Sequence, residues 1–448
     1  MRIEIAAVGG YGESGRNMVA LRLGNDVVLC DMGLHLPNYI KLNEEESEAF
    51  APLSESRLKR ADAIPRDGSI KDWREDVRAI VITHGHLDHI GAAPYIAPKY
   101  DAPIYCSPFA AAILRGIIRE DKLDVPNEII EVRPGRKVRI SKDVVFECIH
   151  ATHSTPQTML AGFHTPEGLV VYANDYKMDD KPTLGKPIDR RYLKELGRGG
   201  VFALIQDCLY ADAMRHTPSE SIAKDMLEDV LLDLDHSGHG LIVTTFASHI
   251  ARLKSIAECG RKMGRKVVFI GRSFHKYCSA ARNAGVTDLF KKAKIVKYAR
   301  QASRLLKQIE KRKQEYLLVV SGHQGEPQSV LSKMLDGIYS WNFERDDRIV
   351  FSSSVIPADI NRAQRAAMDE KLKAFGVRIF DNVHVSGHSS REDIRDIIHL
   401  LRPEHVLPAH GEDHHIDAFK SLAQEEGFVD GKTLHILHNG ERVVLKED

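Results

Sequence analysis

The stretch from Val77 to His89, VRAIVITHGHLDH, decides how this chain of 448 residues is interpreted. Its first half is an uninterrupted apolar run, which predicts a buried strand. The run leads directly into His84, His86, Asp88 and His89, three imidazoles and one carboxylate within six positions. This density indicates a metal site, because imidazole and carboxylate are donors that Zn²⁺ and Mn²⁺ accept in proteins.

The spacing of these four residues predicts two ions rather than one. Alternate residues that leave a strand point to opposite sides, so one loop can serve two neighbouring metal ions. We expect His84 and His86 to bind one ion, and Asp88 and His89 to bind the other. A dinuclear site then needs further ligands from other parts of the chain.

The further ligands are expected at the ends of other strands. His153, Asp175 and His410 each lie just past an apolar, strand-like run. One carboxylate shared by two ions would hold them about 3.5–4 Å apart, the separation found in two-metal hydrolases, and Asp175 suits this bridging place. His150, three residues before His153, is predicted to pack or hydrogen-bond beside the site rather than to ligate.

Composition excludes several classes of protein. Lys and Arg together number 63, as do Asp and Glu, so the whole chain exerts no general attraction on nucleic acid or acidic lipid. The six cysteines form no C-x-x-C pair, which favours a reducing, cytoplasmic environment. No apolar run approaches the ~18 residues that a membrane span requires, and the start lacks a signal-peptide pattern. We therefore expect a cytoplasmic protein without a membrane partner.

The first 35 residues imitate a dinucleotide-binding fingerprint, with a G-x-G-x-x-G motif at residues 10–15 and Asp31 farther on. That fingerprint requires a helix between the glycines and the acidic residue. Here two short apolar runs, MVALRLG and VVLCDMG, are separated by Asn25 and Asp26, which predicts a hairpin. The opening is therefore interpreted as antiparallel strands, and no nucleotide cofactor is expected.

The pattern of elements changes twice along the chain. Short strands, hairpins and a few helices up to residue 212 predict two packed sheets flanked by helices. Regular strand–helix alternation follows, and short strands with histidines return near residue 375. We infer one domain in two parts, 1–212 and 375–448, with a second domain inserted at 213–374. Residues 36–76, with a cluster of glutamates at 44–46 and 48, form either a surface lid or a solvated connection with one short helix, and the length of the segment favours the connection.

Together these motifs resemble a known family. The set His84-x-His86-x-Asp88-His89 with His153, Asp175 and His410 resembles the metallo-β-lactamase superfamily. Asp207 in IQDC, His388 in HVSGHSS and His410 in PAHGE resemble the three additional motifs of its β-CASP nucleases. The opening VGGYGESGRNM, SGHQGEP at 321–327 and FSSSVIP at 351–357 resemble ribonuclease J, in its compact archaeal form. His323 departs from the pattern, since relatives more often have a small polar residue there.

The resemblance implies an α/β fold, a metallo-β-lactamase αββα sandwich with an inserted β-CASP α/β domain. It implies two Zn²⁺ per subunit, with Mn²⁺ or Mg²⁺ as alternatives, and a homodimer that acts on RNA. The implied activity is hydrolysis of RNA phosphodiesters to 5′-phosphate products in RNA decay and processing. The main mode would be a 5′-to-3′ exonuclease that prefers a 5′-monophosphate.

The resemblance also implies catalytic roles. Asp88, besides ligating a metal, would hold the attacking hydroxide by a hydrogen bond. His388, oriented by Asp207, would touch the scissile phosphate and protonate the leaving oxygen.

Three further features are candidates for contact with RNA phosphates, each with a structural alternative. The loop around His388 offers hydroxyls, imidazoles and backbone N–H groups suited to phosphate, or it is a simple turn. SGHQGEP either contacts RNA or only joins a strand to a helix. One helix carries a basic stripe, which either contacts the phosphates of an RNA backbone or is a solvated face. The packing side of this helix holds Ala302, Leu305, Leu306 and Ile309. The residues concerned are His384, Ser386, Gly387, His388 and Ser389 in the first feature, Ser321 and Gly322 in the second, and Arg300, Arg304, Lys307 and Lys311 in the third.

Two alternative functions stay open at this stage. A β-CASP endoribonuclease or a DNA-directed nuclease would carry the same motifs. A non-catalytic RNA-binding scaffold is the alternative from another class, although all seven metal-ligand positions are present, which argues against it.

Overall fold

The computed structural model describes residues 1–46, 53–356 and 359–447, and of residues 43–46 only the backbone. Glu48 of the predicted acidic cluster and Pro357 of FSSSVIP lie outside the described residues. The chain divides into two compact units. The first unit comprises Met1–Asp180, Lys186–Thr217 and Gly387–Asp448, and the second comprises Lys181–Gly185 and Pro218–Ser386. The domain ranges predicted from the sequence, 1–212, 213–374 and 375–448, stay a prediction.

The described part of the first unit contains two sheets, of seven and six strands. The strands of the first sheet, in chain order, are β1 (Ile3–Gly9), β2 (Met18–Leu23), β3 (Asp26–Cys30), β4 (Val77–Ile82), β5 (Ile104–Cys106), β6 (Ile129–Glu131) and β19 (Arg442–Lys446). Those of the second sheet are β7 (Lys137–Arg139), β8 (Val145–His150), β9 (Met159–Thr165), β10 (Gly168–Ala173), β11 (Val201–Asp207) and β18 (His405–Ala409). Their spatial orders are β19-β1-β2-β3-β4-β5-β6 and β18-β11-β10-β9-β8-β7.

The two sheets pack over a shared apolar core, because side chains alternate between the two faces of each strand. In β10, Val170 and Tyr172 belong to the core that also holds Leu21 and Val28 of the first sheet. The intervening Val171 belongs instead to a second core on the opposite face. This second core contains apolar residues of three helices of the first unit. The predicted packing of two sheets with flanking helices is confirmed.

The helices of the first unit connect and flank these sheets. They are α1 (Leu36–Glu46), α2 (Glu55–Arg60), α3 (Leu87–Ile90), α4 (Ala93–Ile96), α5 (Pro108–Asp121), α6 (Arg190–Arg198), α13 (Arg391–Leu401) and α14 (Asp413–Glu425), with short 3₁₀ helices at Asp67–Asp76 and Ala97–Lys99. Helices α6, α13 and α14 contribute Leu193, Ile394 and Phe419 to the second core.

The opening of the chain is antiparallel, as predicted. Strand β2 pairs antiparallel with β1 and with β3, and the hairpin between β2 and β3 places Leu23 opposite Asp26. Gly24 at the turn has a φ of +66°, a left-handed value that glycine adopts without steric cost. Between Met18 and Cys30, all of them described, no helix intervenes, so the glycine motif lacks the helix of a dinucleotide site.

The described residues of the segment 36–76, which are 36–46 and 53–76, contain more helix than expected. They form α1, α2 and the 3₁₀ helix at Asp67–Asp76, so the prediction of a solvated connection with one short helix is wrong. Trp73 explains part of the difference, because its buried ring lies under two guanidinium groups, those of Arg22 and Arg442, at 4.9 and 4.4 Å from the ring. Both arginines lie far from this segment in sequence, so no local pattern reveals the contact.

The second unit is an α/β structure, as predicted, and its sheet is parallel. Its six-stranded sheet consists of β12 (Leu241–Thr244), β13 (Lys266–Ile270), β14 (Lys294–Val296), β15 (Tyr316–Val320), β16 (Arg348–Phe351) and β17 (Arg378–Phe380), in the spatial order β14-β13-β15-β12-β16-β17. All paired strands in it are parallel. The helices of this unit are α7 (Glu220–Leu232), α8 (Ile250–Lys262), α9 (Arg272–Asn283), α10 (Ala299–Ile309), α11 (Val330–Leu335) and α12 (Asp359–Ala374), with 3₁₀ helices at Leu289–Lys291 and Glu310–Glu315.

The cysteines and the lengths of the helices bear on the environment of the protein. All six cysteines are buried and unpaired, and burial raises the pKa of the Cys106 and Cys148 thiols to about 12. Across the described ranges, no helix is both long and apolar enough to cross a lipid bilayer.

Two helical glycines of the first unit predict opposite effects of the same substitution. A Cβ at Gly197 in α6 would overlap the carbonyl oxygen of Leu400, whereas at Gly116 in α5 it would meet open space. We expect Gly116→Ala to stabilise the protein by about 0.5–1 kcal/mol through helix propensity. Gly197→Ala should destabilise it by about 1–3 kcal/mol through overpacking. Thermal unfolding midpoints that shift in the same direction for both variants would contradict the packing of α6 against α13.

Candidate active site

Strand ends of the first unit bring the predicted ligands together. His84 and His86 follow β4, and His153 follows β8. Strands β10, β11 and β18 are parallel neighbours, with Asp207 aligned with Ala409. Because parallel strands end at the same edge of a sheet, the residues after β10 and β18, Asp175 and His410, lie close to each other. The site is therefore assembled by sheet topology from distant parts of the sequence.

One ligand group consists of three imidazoles and one carboxylate. Nδ1 of His86 lies 3.1 Å from Nε2 of His84 and 3.1 Å from Nε2 of His153. Oδ2 of Asp175 lies 3.4 Å from the His84 nitrogen and 3.5 Å from the His153 nitrogen. Four donor atoms on four side chains therefore surround one point.

These separations fit a tetrahedral metal site. An ion about 2.0–2.1 Å from each ligand in tetrahedral geometry would place neighbouring ligand atoms about 3.3–3.4 Å apart. Without a cation or shared protons, the converging nitrogen lone pairs would repel one another. The donor set of this group thus fits a divalent cation such as zinc.

The second ligand group shares Asp175 with the first. Its members are Asp88, His89, Asp175 and His410. Oδ1 of Asp175 lies 3.1 Å from Nε2 of His89 and 3.6 Å from Nε2 of His410. This oxygen is buried, and among the described residues no donor reaches it with good hydrogen-bond geometry, although Nε2 of His89 lies nearby. A second cation would satisfy it.

Hydrogen bonds behind the cluster orient its imidazoles. In four of them Nδ1 contacts a protein oxygen, which makes Nδ1 the protonated atom and leaves Nε2 as the electron-pair donor. The contacts are His84 with Thr83 Oγ1 (3.1 Å), His89 with Asp31 Oδ2 (2.8 Å), His153 with the Gly387 carbonyl (2.7 Å) and His410 with Asn17 Oδ1 (2.9 Å). This arrangement is typical of histidines that ligate metals.

Sequence reasoning missed two of these supporting residues, Asp31 and Asn17. Asp31 is fully buried and accepts hydrogen bonds from the Thr83 amide (2.8 Å) and the Tyr172 hydroxyl (3.1 Å). In the sequence, Asp31 stands out only as the acidic residue of the false dinucleotide motif. Its position directly after the buried strand β3, where polar residues are uncommon unless they serve a site, was the available signal. Asn17 also donates from Nδ2 to the Asp88 carbonyl (3.1 Å).

The three imidazoles of the first group are held neutral. Burial, and after it the charge of a neighbouring imidazole, lowers the pKa of His84. The same two causes put the pKa values of His86 and His153 well below the ordinary value. A neutral imidazole is the form that binds a metal ion.

The second group is electrostatically different. Burial alone would lower the pKa of His89, but the carboxylates of Asp175 and Asp31 outweigh it and raise the value well above normal. Burial alone would raise the pKa of Asp175, but the charges of His89 and His410 outweigh it, and the value falls well below normal. Asp175 is therefore ionised and attracts positive charge.

His388 lies beside the first ligand group and is oriented by Asp207. Its Nδ1 is 2.9 Å from Oδ2 of Asp207, and its Nε2 is 3.9 Å from Oδ2 of Asp175. Burial opposes protonation, but the charges of Asp175 and Asp207 raise the pKa of His388 to about 9. Asp207 is itself fixed, since its Oδ1 accepts a hydrogen bond of 2.9 Å from the Leu209 amide. The pair thus presents a cationic N–H group.

His150 stands apart from the metal-ligand groups, as predicted. Its Nε2 contacts the Lys186 carbonyl at 2.9 Å.

The predicted phosphate loop is divided between the two units. In the first unit, the Gly387 carbonyl contacts His153, and the buried Ser389 hydroxyl donates to the Tyr176 carbonyl at 3.0 Å. In the second unit, His384 contacts the buried Arg252 guanidinium at 3.4 Å, and Ser386 is half-buried. The proposed phosphate contacts of this loop stay a prediction.

The other predicted RNA-contact residues belong to the second unit. Ser321 and Gly322 form a turn in which the Ser321 hydroxyl oxygen accepts from the Val330 amide at 3.1 Å. Arg300, Arg304 and Lys307 form an exposed stripe on α10, opposite the buried Ala302, Leu306 and Ile309, with Leu305 half-buried. Lys311 does not continue this helix, because α10 ends at Ile309 and Lys311 lies in the 3₁₀ helix that follows.

Known families cover most of the chain. Residues 12–178 match the metallo-beta-lactamase superfamily, and residues 238–368 match the family described as ribonuclease J, beta-CASP domain. Residues 376–435 match the Zn-dependent metallo-hydrolase RNA specificity domain. The predicted combination of a metallo-β-lactamase fold with a β-CASP domain is thereby confirmed.

Individual relatives extend over the whole length. The chain is 40% identical to ribonuclease J of Methanocaldococcus jannaschii over 98% of each chain. It is 42% identical to ribonuclease J of Pyrococcus abyssi over 99% of this chain and 97% of the relative. Ribonuclease J of Thermus thermophilus is 31% identical over 96% of this chain and 72% of its own. A crystal structure of a protein of unknown function from Enterococcus faecalis shares the fold, with a TM-score of 0.65 at 16% identity over 99% of this chain and all of the other.

These matches agree with the site geometry, in which seven candidate metal ligands and the pair of His388 and Asp207 converge. On identities of 40% and 42% over nearly the full length, the chain belongs to the ribonuclease J family of β-CASP metallo-β-lactamases.

Proposed function

We propose that the chain is a divalent-metal-dependent ribonuclease that hydrolyses RNA phosphodiesters to 5′-phosphate products. The observation that carries the proposal is the buried carboxylate of Asp175, whose two oxygens face two separate groups of ligands. A carboxylate in this place suits a bridge between two cations. Membership of the ribonuclease J family supports RNA as the substrate.

The proposed ligands divide between two cations. His84, His86 and His153 would hold one, and Asp88, His89 and His410 the other, with Asp175 shared. When bound, two divalent cations supply positive charge that acidifies water and stabilises the anionic phosphate. We propose Zn²⁺ for both, because the first group offers three imidazoles and one carboxylate and the second offers two of each, and zinc binds both kinds of donor, with Mn²⁺ or Mg²⁺ as alternatives.

The chain's own residues would then act on water and on the leaving group. The Asp88 side chain is partly exposed, at 20%, and we propose that its carboxylate holds the attacking hydroxide by accepting a hydrogen bond from it. Once water has lost a proton to solvent, the hydroxide oxygen would bond to phosphorus, and the bond from phosphorus to the 3′-oxygen would break. His388 would donate its Nε2 proton to that oxygen, while Asp207 keeps the imidazole oriented through Nδ1.

Several finer features complete the proposal. We propose a mainly 5′-to-3′ exonuclease that acts on 5′-monophosphorylated RNA in decay and processing, with phosphate contacts from the loop around His388. We also propose a cytoplasmic homodimer without a nucleotide cofactor, and domains at 1–212, 213–374 and 375–448. Six buried, unpaired cysteines support a reducing compartment.

Replacing the shared carboxylate tests the metal centre. Asp175→Asn should lower the amount of bound metal and reduce cleavage of labelled RNA by at least about 100-fold, because both cations lose an anionic ligand. Metal content is measured by elemental analysis of the purified protein. The matched control is Asp180→Asn, at an exposed aspartate that pairs with Arg190. Full activity and full metal content in Asp175→Asn would refute the bridging role.

A second substitution tests the proton donor. His388→Ala should slow single-turnover cleavage by about 10²–10⁴-fold while metal content is retained, because a general acid is lost without loss of a ligand. Asp207→Asn should cost about 10–100-fold through misorientation of the imidazole. His150→Ala serves as the control, since its Nε2 contacts the Lys186 carbonyl and it belongs to neither proposed ligand group. Unchanged single-turnover rates in His388→Ala would exclude the acid role.

The exonuclease mode is tested with RNA that has no end. We expect linear RNA with a 5′-monophosphate to be degraded progressively, because its terminal phosphate can be recognised, and circular RNA of the same sequence to survive. Products are separated by gel electrophoresis, with chelator-treated protein as the control. Rapid cutting of the circle would favour the endonuclease alternative.

A further inference from the structure

A cavity of about 440 Å³ opens at the carboxyl edge of the sheet in the second unit. Its walls come from the segments that follow three strands: Gly271 to Ser273 after β13, Lys297 to Ala299 after β14, and Ser321 after β15. Its size lies within the range of about 300–1,000 Å³ that small-molecule sites occupy. None of its lining residues is among the proposed metal ligands.

Sheet topology explains why a cavity forms there. Strands β13 and β15 are neighbours, but the chain leaves β13 toward β14 at one edge and leaves β15 toward β16 on the other side. Because crossovers between parallel strands are right-handed, these two connections pass over opposite faces of the sheet. Ligands of open α/β sheets bind in the crevice at such a switch point.

The lining is cationic. It contains Arg272, Lys297 and Lys333, and among its described residues no aspartate or glutamate. The hydroxyl oxygen of Ser321 accepts a hydrogen bond from the Val330 amide, which leaves the hydroxyl hydrogen to donate to a ligand. Helices α9 and α10 also begin at the cavity, and the first turn of a helix favours negative charge. These features together fit a phosphate group.

The remaining lining suits a nucleobase. Tyr298 is 57% exposed at the cavity, and Tyr339 is 7% exposed in its wall. Ile270, Val296 and Val330 add apolar surface. Bases stack on aromatic side chains without requiring a particular sequence. A small inorganic anion would use only the cations and leave this surface without a partner.

We propose that this cavity binds a nucleoside monophosphate, with its phosphate held by Arg272, Lys297 and Lys333 and its base against Tyr298. The occupant is either a free nucleotide or one nucleotide of an RNA strand. The exposed basic stripe of α10 begins next to Ala299 of the lining, which offers further cations to an RNA backbone. The proposal extends beyond the proposed hydrolysis and does not depend on it.

Binding of labelled AMP to the full-length protein, measured by equilibrium dialysis, tests the proposal. The double variant Arg272→Gln/Lys333→Gln should bind AMP at least about tenfold more weakly, because two charge-assisted contacts are lost. The control is Arg261→Gln/Lys291→Gln, two exposed cations of the second unit outside the lining. Wild type and variants carry the same metal centre, so any AMP bound there cancels in the comparison.

Inorganic phosphate as a second probe separates the base from the phosphate. Tyr298→Ser should weaken AMP binding at least about fivefold and leave phosphate binding unchanged, because only stacking is lost. Equal AMP affinity in wild type and the double variant would overturn the proposal. Phosphate that binds wild type as tightly as AMP would also overturn it, since the cavity would then be a plain anion site.

Competition identifies the source of the nucleotide. The competitor is a 5′-phosphorylated, phosphorothioate-linked oligoribonucleotide, which resists cleavage and so releases no mononucleotide. If the oligonucleotide displaces AMP from the wild type but not from the double variant, the occupant is a nucleotide of RNA. Retention of AMP identifies a free nucleotide. Both measurements are made without turnover, so an absent nuclease activity would leave them interpretable.

Discussion

The carboxylate of Asp175 is the constraint on which the rest of the first unit depends. It is 1% exposed and lies within 3.9 Å of five imidazoles, which come from four separate parts of the chain. A buried charge costs several kcal/mol unless it is paired and hydrogen-bonded. Its residue also has a φ of +54°, a left-handed conformation that is unfavourable for aspartate. Positive charge at this point offsets both costs, and the fold concentrates imidazoles and proposed cations there.

The supporting hydrogen bonds show how the cluster keeps its geometry. Asn17 contacts the Asp88 carbonyl, the His89 ring and the His410 ring, and thus joins residues nearly 400 positions apart. Asp31 fixes His89 in the same way and is itself held by Thr83 and Tyr172. Side chains held by such contacts lose little additional rotamer freedom when a ligand binds. The site is therefore oriented by the protein itself.

Local chemistry could be predicted from the sequence, and long-range packing could not. The motif HGHLDH predicts a metal site because its candidate ligands are close together in sequence. His153, Asp175 and His410 could be predicted because each follows an apolar, strand-like run. Asn17 and Asp31 were missed because their partners lie in distant parts of the chain, and a single polar residue carries no periodic signal. Trp73 illustrates the same limit, since Arg22 and Arg442 cover it from strands at opposite ends of the chain.

The two units provide different kinds of groups, buried candidate metal ligands in the first and exposed cations in the second. All seven proposed metal ligands belong to the first unit, where burial makes electrostatic interactions strong. The basic stripe of α10 and the cationic cavity belong to the second unit, where exposed side chains meet solvent. Binding energy from parts of a substrate that do not react can be used to orient the reacting atoms. The substrate contacts proposed for the second unit involve none of the seven proposed ligands, so a substitution in them removes no ligand from the proposed metal centre.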